Sequence, residues 1–244
     1  DTRGYTNGAM LAWVSPLWEL RFGVYEKPVH ANGQELDSLR TSRGQNLELT
    51  LKPSWDNSAV LRVLAYDNVA RMGIYNDAIA IAQAHGTTPD ITADDQPGRH
   101  KYGFGLNLEQ PLADNGETGV FMRLGWDDGR TETFAFTEMD RHLSLGGQLD
   151  GVHWWRPDDR LGIAYVAGGL SGPHREYLAD GGLGFVVGDG RLNYGLEQVT
   201  EIYYGAQIFK FLQLTPDFQY IWNPGFNRDR GPVRVVGFRI HAEY

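Results

Sequence analysis

Arg21, Arg62, Arg123 and Arg239 each sit in the middle of a segment where apolar and polar residues alternate. Carboxylates occupy matching polar positions: Glu19, Glu48, Glu197, Glu201 and Asp217. A guanidinium offers fixed hydrogen-bond donors, and a carboxylate offers only acceptors. Interleaved along one wall, the two suit weak, reversible contact with a neutral hydroxylated molecule. They do not make a catalytic constellation. No HExxH, P-loop or G-x-S-x-G motif is present. Gly103-Phe-Gly105 and Gly182-Leu-Gly184 are glycine pairs, not a dinucleotide fingerprint. Asp158-Asp159 has the composition of a paired-carboxylate glycosidase centre or, as the simpler reading after Pro157, of a polar turn. Asp90, Asp94 and Asp95 have calcium-ligand chemistry or form a solvated acidic loop. The seven His are scattered, with His241 the one expected on the polar side, and there is no Cys to act as thiolate, disulfide or zinc ligand. No cofactor and no metal site is expected.

The elements that carry these residues are strands. Trp18, Leu20, Phe22 and Val24 alternate with Glu19, Arg21 and Gly23; Leu47, Leu49 and Leu51 alternate with Glu48 and Thr50. The same period of two recurs in Tyr102–Leu108, Val120–Trp126, Leu161–Tyr165, Leu212–Tyr220 and Val236–Ile240. Strands are predicted near 8–15, 17–25, 44–53, 57–66, 100–109, 117–126, 141–154, 160–168, 195–206, 210–221 and 232–243. Their connections alternate between short and long, the rhythm of an outer-membrane barrel with tight turns on one side and long loops on the other. Met72 to His85 breaks the pattern. It reads as a helix with Ile74, Ala78, Ile81, Ala82 and His85 on one face, either packed on or inside the mouth or lying in an outer loop with no role in the pore.

Composition narrows the setting. Lys+Arg is 22 against Asp+Glu 31, a formal charge of −9 without a basic block, so nucleic acid is not an expected partner. No stretch approaches the roughly 20 apolar residues of a membrane helix. Strands that are apolar at every second residue remain compatible with a membrane. Alternation alone fits both a soluble sandwich and a lipid-facing barrel. Three features favour the barrel. Arg and Glu lie at mid-strand on the polar faces. Aromatics lie near strand ends, at Trp13, Tyr25, Trp55, Tyr66, Tyr102, Trp126, Trp154, Tyr220, Trp222 and Tyr244. The last strand closes on an aromatic residue, like an outer-membrane assembly signal.

Six segments carry a family resemblance: Leu17–Pro28, Lys101–Glu109, Gly125–Ser144, Trp155–Ala164, Glu201–Ala206 and Leu214–Pro232. With these, the chain resembles the carbohydrate-selective porins of the OprB family. The resemblance implies a bacterial outer-membrane, antiparallel transmembrane β-barrel of about 16 strands, not an enzyme, passing small sugars passively. About 11 strands are expected in residues 1–244, as one porin domain lacking its N-terminal strands. The expected partners are small sugars, outer-membrane lipid, and a homo-oligomer or another chain or segment supplying the missing strands. The candidate pore-lining residues are Glu19, Arg21, Glu48, Arg62, Arg123, Glu197, Glu201, Asp217 and Arg239. The alternative is a soluble β-rich domain that binds carbohydrate or cleaves glycosides; it would bury its apolar faces against each other.

Overall fold

The computed structural model describes residues 5–53, 59–134 and 138–243. Trp55, Tyr244 and the first two residues of the window 57–66 fall outside them. The described chain forms eleven strands: β1 (Gly8–Val14), β2 (Trp18–Glu26), β3 (Arg43–Leu51), β4 (Val60–Met72), β5 (Gln96–Ala113), β6 (Thr118–Asp127), β7 (Arg141–Asp150), β8 (Arg160–Gly169), β9 (Glu197–Phe209), β10 (Leu212–Trp222) and β11 (Val233–Ala242). Each pairs antiparallel with the next, giving one sheet in the order β1 to β11. The sheet is not closed on itself among the described residues, so β1 and β11 each keep an unpaired edge. Every expected strand is present, and the short and long connections fall at opposite ends of the sheet, called here the turn end and the loop end.

Strand β5 is longer than the alternation shows. β5 runs for 18 residues and includes Pro97 and Pro111. Proline lacks an N–H and normally marks a strand limit. The ladder absorbs them by register shifts between Ala70 and Met72 against β4, and between Pro111 and Ala113 against β6. Conversely, β7 stops at Asp150 rather than running to 154. The Asp150 carboxylate accepts the Val152 N–H at 2.8 Å, and Gly151–Trp154 turns as a 3₁₀ segment.

The apolar face looks outward. Leu20, Leu49, Val63, Leu106, Leu124 and Leu143 are register partners across β2 to β7, so they share one side. Phe104 is 55% exposed, Leu124 42%, Ile163 55% and Phe238 62%. On the opposite face Thr50, Ser144 and Thr215 are buried. A soluble sandwich would show the reverse, which removes the soluble alternative. Aromatics gather on the apolar face at both ends: Trp13 and Trp18 are 5.5 Å apart at the turn end, and Tyr102–Trp126 (6.0 Å) and Tyr220–Trp222 (4.4 Å) pair at the loop end. Tyr25 and Tyr66 do not join these girdles. Their strand positions are those of Arg21, Gly23 and Leu64, on the polar face.

The buried apolar residues lie mainly in the loops at the loop end. Helix α1 (Tyr75–His85) follows β4 and stops at Gly86, whose φ of 65° is left-handed. Helix α2 (Gly172–Ala179), not read from the sequence, starts where the Ser171 side chain accepts the His174 N–H, with Pro173 in the first turn. Tyr75, Ile79, Ile91, Tyr177, Leu178 and Phe226 form one core between the helices and neighbouring turns. The buried face of α1 is therefore Tyr75, Ala78, Ile79 and Ala82; Ile81 and His85 are exposed. Tyr75 and Ile79 of α1 are drawn in against Tyr177 and Leu178 of α2.

The two faces predict opposite responses at adjacent residues. Ile163 lies on the apolar face and Ala164 on the polar face, where its register partner in β9 is Glu201. An Ile163→Arg substitution near the membrane midplane should destabilise by about 2–4 kcal/mol. Ala164→Arg should cost far less, measured by reversible urea unfolding in lipid vesicles.

Candidate functional site: the polar face and its loop cap

Register brings all the candidate polar residues to one face. Arg21, Glu48, Leu64, Gly105, Gly125, His142, Gly168 and Glu197 form one row across β2 to β9. Glu19, Thr50, Arg62, Asn107, Arg123 and Ser144 form the next. Glu201 opposes Gln219, Asp217 opposes Tyr203 and Gly237, and Arg239 opposes Thr215, all on that same face. His241 is also on it, opposite Gln213.

The side chains on this face hold one another. Arg21 Nε donates to Glu19 Oε1 at 2.6 Å, and its Nη1 lies 3.4 Å from Glu48. Arg62 Nη1 donates to Glu109 Oε1 at 2.7 Å. Arg123 has no carboxylate partner among the described residues; its guanidinium lies 5.3 Å from the centre of the Phe121 ring and is exposed. Glycines leave room for large neighbours. A Cβ on Gly162 would strike the Tyr203 ring, and one on Gly125 the His142 ring. Tyr203 spends the space by donating its hydroxyl to Gln148 at 3.0 Å.

At the turn end, Asp159 is part of a structural clasp. It is almost fully buried and accepts from Arg156 Nε at 2.9 Å, from the Tyr204 hydroxyl and from the Gln207 N–H at 2.9 Å. This resolves Asp158-Asp159 as a turn that locks the β7–β8 connection onto β9, with no paired-carboxylate centre.

At the loop end a buried polar network, not read from the sequence, seats the loops over the polar face. Lys101 is in register with Asn68 of β4, on the polar side, and its Nζ lies 3.6 Å from both Asp127 and Asp140 and donates to Thr131 O at 3.2 Å. Asp140 in turn accepts from Ser171 N–H at 2.7 Å and sits 3.0 Å from His174 Nδ1. The His174 ring is fully buried and stacks on Tyr75 at 4.4 Å. Strand β5, the β6–β7 loop, α2 and α1 are thus joined through one carboxylate. Burial alone would raise Asp140, but the hydrogen bond and charge of His174, with Lys101, hold it down at about 2. Burial, with Lys101 nearby, lowers the Lys27 ammonium to about 8; it lies 5.3 Å from the Phe134 ring centre. Burial raises the Glu132 carboxyl to about 7, although it accepts the Gly73 N–H at 2.8 Å.

Asp94 is taken up by Arg99 at 2.7 Å, Asp90 caps the 3₁₀ turn Ile91–Asp94, and Asp95 lies 3.4 Å from His30. Among the described residues no group of three or more His or acidic side chains is arranged to hold a metal ion. Among the described residues no helix is long and apolar enough to cross a membrane, a fact that does not bear on strands.

The family model "Carbohydrate-selective porin, OprB family" matches residues 6–244. A solved structure entitled "High pH structure of Pseudomonas putida OprB" superposes with a TM-score of 0.72 at 16% identity, over 96% of this chain and 58% of that one. The chain therefore spans less than two thirds of that protein's length. No curated protein matches the sequence.

Two carboxyls give the cap opposite pH responses. Glu132 has a folded value near 7, above its ordinary 4.5, so its contribution is full below 4.5 and fades as pH rises through 7. Asp140 is depressed, so its contribution is full above its ordinary 3.8 and fades as pH falls toward 2. Hydrogen exchange of the 128–134 segment, corrected for intrinsic rates, should speed up between pH 5 and 8, and Glu132→Gln should reduce that rise. Asp140→Ala, which strands a buried ion-pair network, should weaken the cap by about 3–5 kcal/mol, seen as loop proteolysis with the strands intact.

Proposed function

The chain belongs to the OprB family of carbohydrate-selective porins, and on that premise we propose that its polar face lines a water-filled passage for small neutral sugars. Family membership places it in the bacterial outer membrane and among channels rather than enzymes. The observation that carries the proposal is that Glu19, Arg21, Glu48, Arg62, Arg123, Glu197, Glu201, Asp217 and Arg239 share one face, opposite the exposed apolar one.

Flow through the passage is proposed to be passive, with the cargo moving down its own gradient. Arg21 and Arg62 are held by Glu19, Glu48 and Glu109, so they present fixed walls in which charges of both signs are interleaved. Interleaved charges favour neutral hydroxylated cargo over ions. Arg123, like Arg239, is an exposed donor, free to bridge neighbouring sugar hydroxyls. Weak contact is an advantage here, since a cargo held tightly would not leave.

A passage also needs a closed wall. In hydrocarbon an open strand edge leaves N–H and C=O groups unpaired at several kcal/mol each. The free edges of β1 and β11 are proposed to meet further strands, and small sugars and outer-membrane lipid are the proposed partners of the closed barrel.

Planar-bilayer conductance of the full-length protein tests the route. Glucose should reduce the ion current, and Arg123→Ala should raise the conductance and weaken the glucose block several-fold. An Arg123→Ala channel identical to wild type in both respects would remove Arg123 from the path.

A further inference from the structure

The cap encloses a second site, away from the strand rows just described. Asn32, Tyr75, Asp95, Glu132, Glu138 and Tyr177, from five separate segments, bound a cavity of about 260 Å³. That is a little below the roughly 300–1,000 Å³ typical for drug-sized ligands and suits something the size of one sugar ring.

The chemistry of its lining is one-sided. Glu138 is only 5% exposed, and its Oε1 accepts the Val186 N–H at 2.8 Å. Its Oε2 is buried with no hydrogen-bond partner and lies against Gly184, where a Cβ would collide with it. Asp95 Oδ1 is likewise buried and unpartnered. Glu132 adds a third acidic group, and among the described residues no Lys or Arg lines the cavity; His30, beside Asp95, is the basic group there. A buried carboxylate oxygen without a donor is costly, so the lining calls for a ligand that brings donors and positive charge. A bare metal ion does not fit, since no three acidic or His side chains converge closely enough among the described residues. An ammonium carried on a ring of hydroxyls does: the cation meets Glu138 Oε2 or Asp95 Oδ1, and the hydroxyls donate to the remaining acceptors.

We infer that this cavity is a binding site for a small hydroxylated amine of the amino-sugar class, captured at the mouth of the channel. The site is separate from the strand-lined passage proposed above, and its occupancy can be read with no current flowing.

The test is calorimetric titration of the full-length protein in detergent with glucosamine, glucose, N-acetylglucosamine and methylammonium. Glucosamine should bind at least ten-fold more tightly than each of the other three. Glu138→Gln keeps an oxygen for the Val186 N–H but loses the charge, and should lower glucosamine affinity about ten-fold while leaving glucose block of the current unchanged. Gly184→Ala puts a methyl against Oε2 and displaces that carboxylate without changing charge, and should have the same effect on binding. Glucosamine binding no tighter than glucose, or equal to methylammonium, overturns the inference. So does unchanged glucosamine affinity in Glu138→Gln. If that variant loses the protease resistance of its loops, Gly184→Ala decides, and undiminished affinity there overturns the inference. A wild-type channel that binds glucosamine but shows no glucose block would defeat the sugar-passage proposal and leave this site standing.

Discussion

Backbone N–H and C=O groups in a hydrocarbon layer can pair only with one another, and that constraint orders this molecule. The antiparallel ladder satisfies them strand by strand from β1 to β11. Once the ladder is fixed, side chains have two destinations. Leucine, isoleucine and phenylalanine take the outer face, where they are exposed in the isolated chain because lipid is their intended neighbour. Charged and small residues are left to the other face. There the charges must neutralise one another, as Arg21 does with Glu19 and Glu48. Among the described residues, apolar burial is concentrated in the loops, around Tyr75, Ile79 and Tyr177, with a smaller cluster of Ala70, Met72 and Phe134 at the loop end of β4.

A loop core has to be seated on the sheet, and the seat is ionic. Lys101 on the polar face reaches Asp127 and Asp140, and Asp140 reaches α2 through Ser171 and His174. Such a buried network is directional: each donor has a particular acceptor, so the loops dock in one arrangement. The same docking leaves some acceptors unmatched, at Asp95 and Glu138, and these define the mouth cavity.

The strands and the shared polar face were legible because both depend on a period of two, which survives without knowledge of tertiary contacts. Glu19 and Arg62 fall in one row because each was placed by parity along its own strand. What parity could not show is where a strand ends. Pro97 and Pro111 look like limits of β5, and only the register shifts reveal that pairing continues through them. Residue type suggests interfacial girdles for Tyr25 and Tyr66, although their own parity puts them on the polar face. Helix α2 is short, and its one signal in the sequence is Ser171 followed by Gly172-Pro173, too brief to mark a helix by period. The cap network was out of reach, since Lys101, Asp140 and His174 meet only after three loops fold together. A lysine at a strand position that ends up buried was its sole local sign.

The account stands or falls on which face is wet. The 244 residues contain no Cys, so single cysteines report cleanly. Cysteines placed one at a time at Arg62, Val63, Arg123 and Leu124 alternate between the two faces. In the full-length protein in vesicles, a charged, membrane-impermeant thiol reagent is predicted to label positions 62 and 123 rapidly and to leave 63 and 124 untouched, while a lipid-soluble maleimide labels the latter pair. Rapid labelling of 63 and 124 by the charged reagent, with 62 and 123 protected, would contradict it.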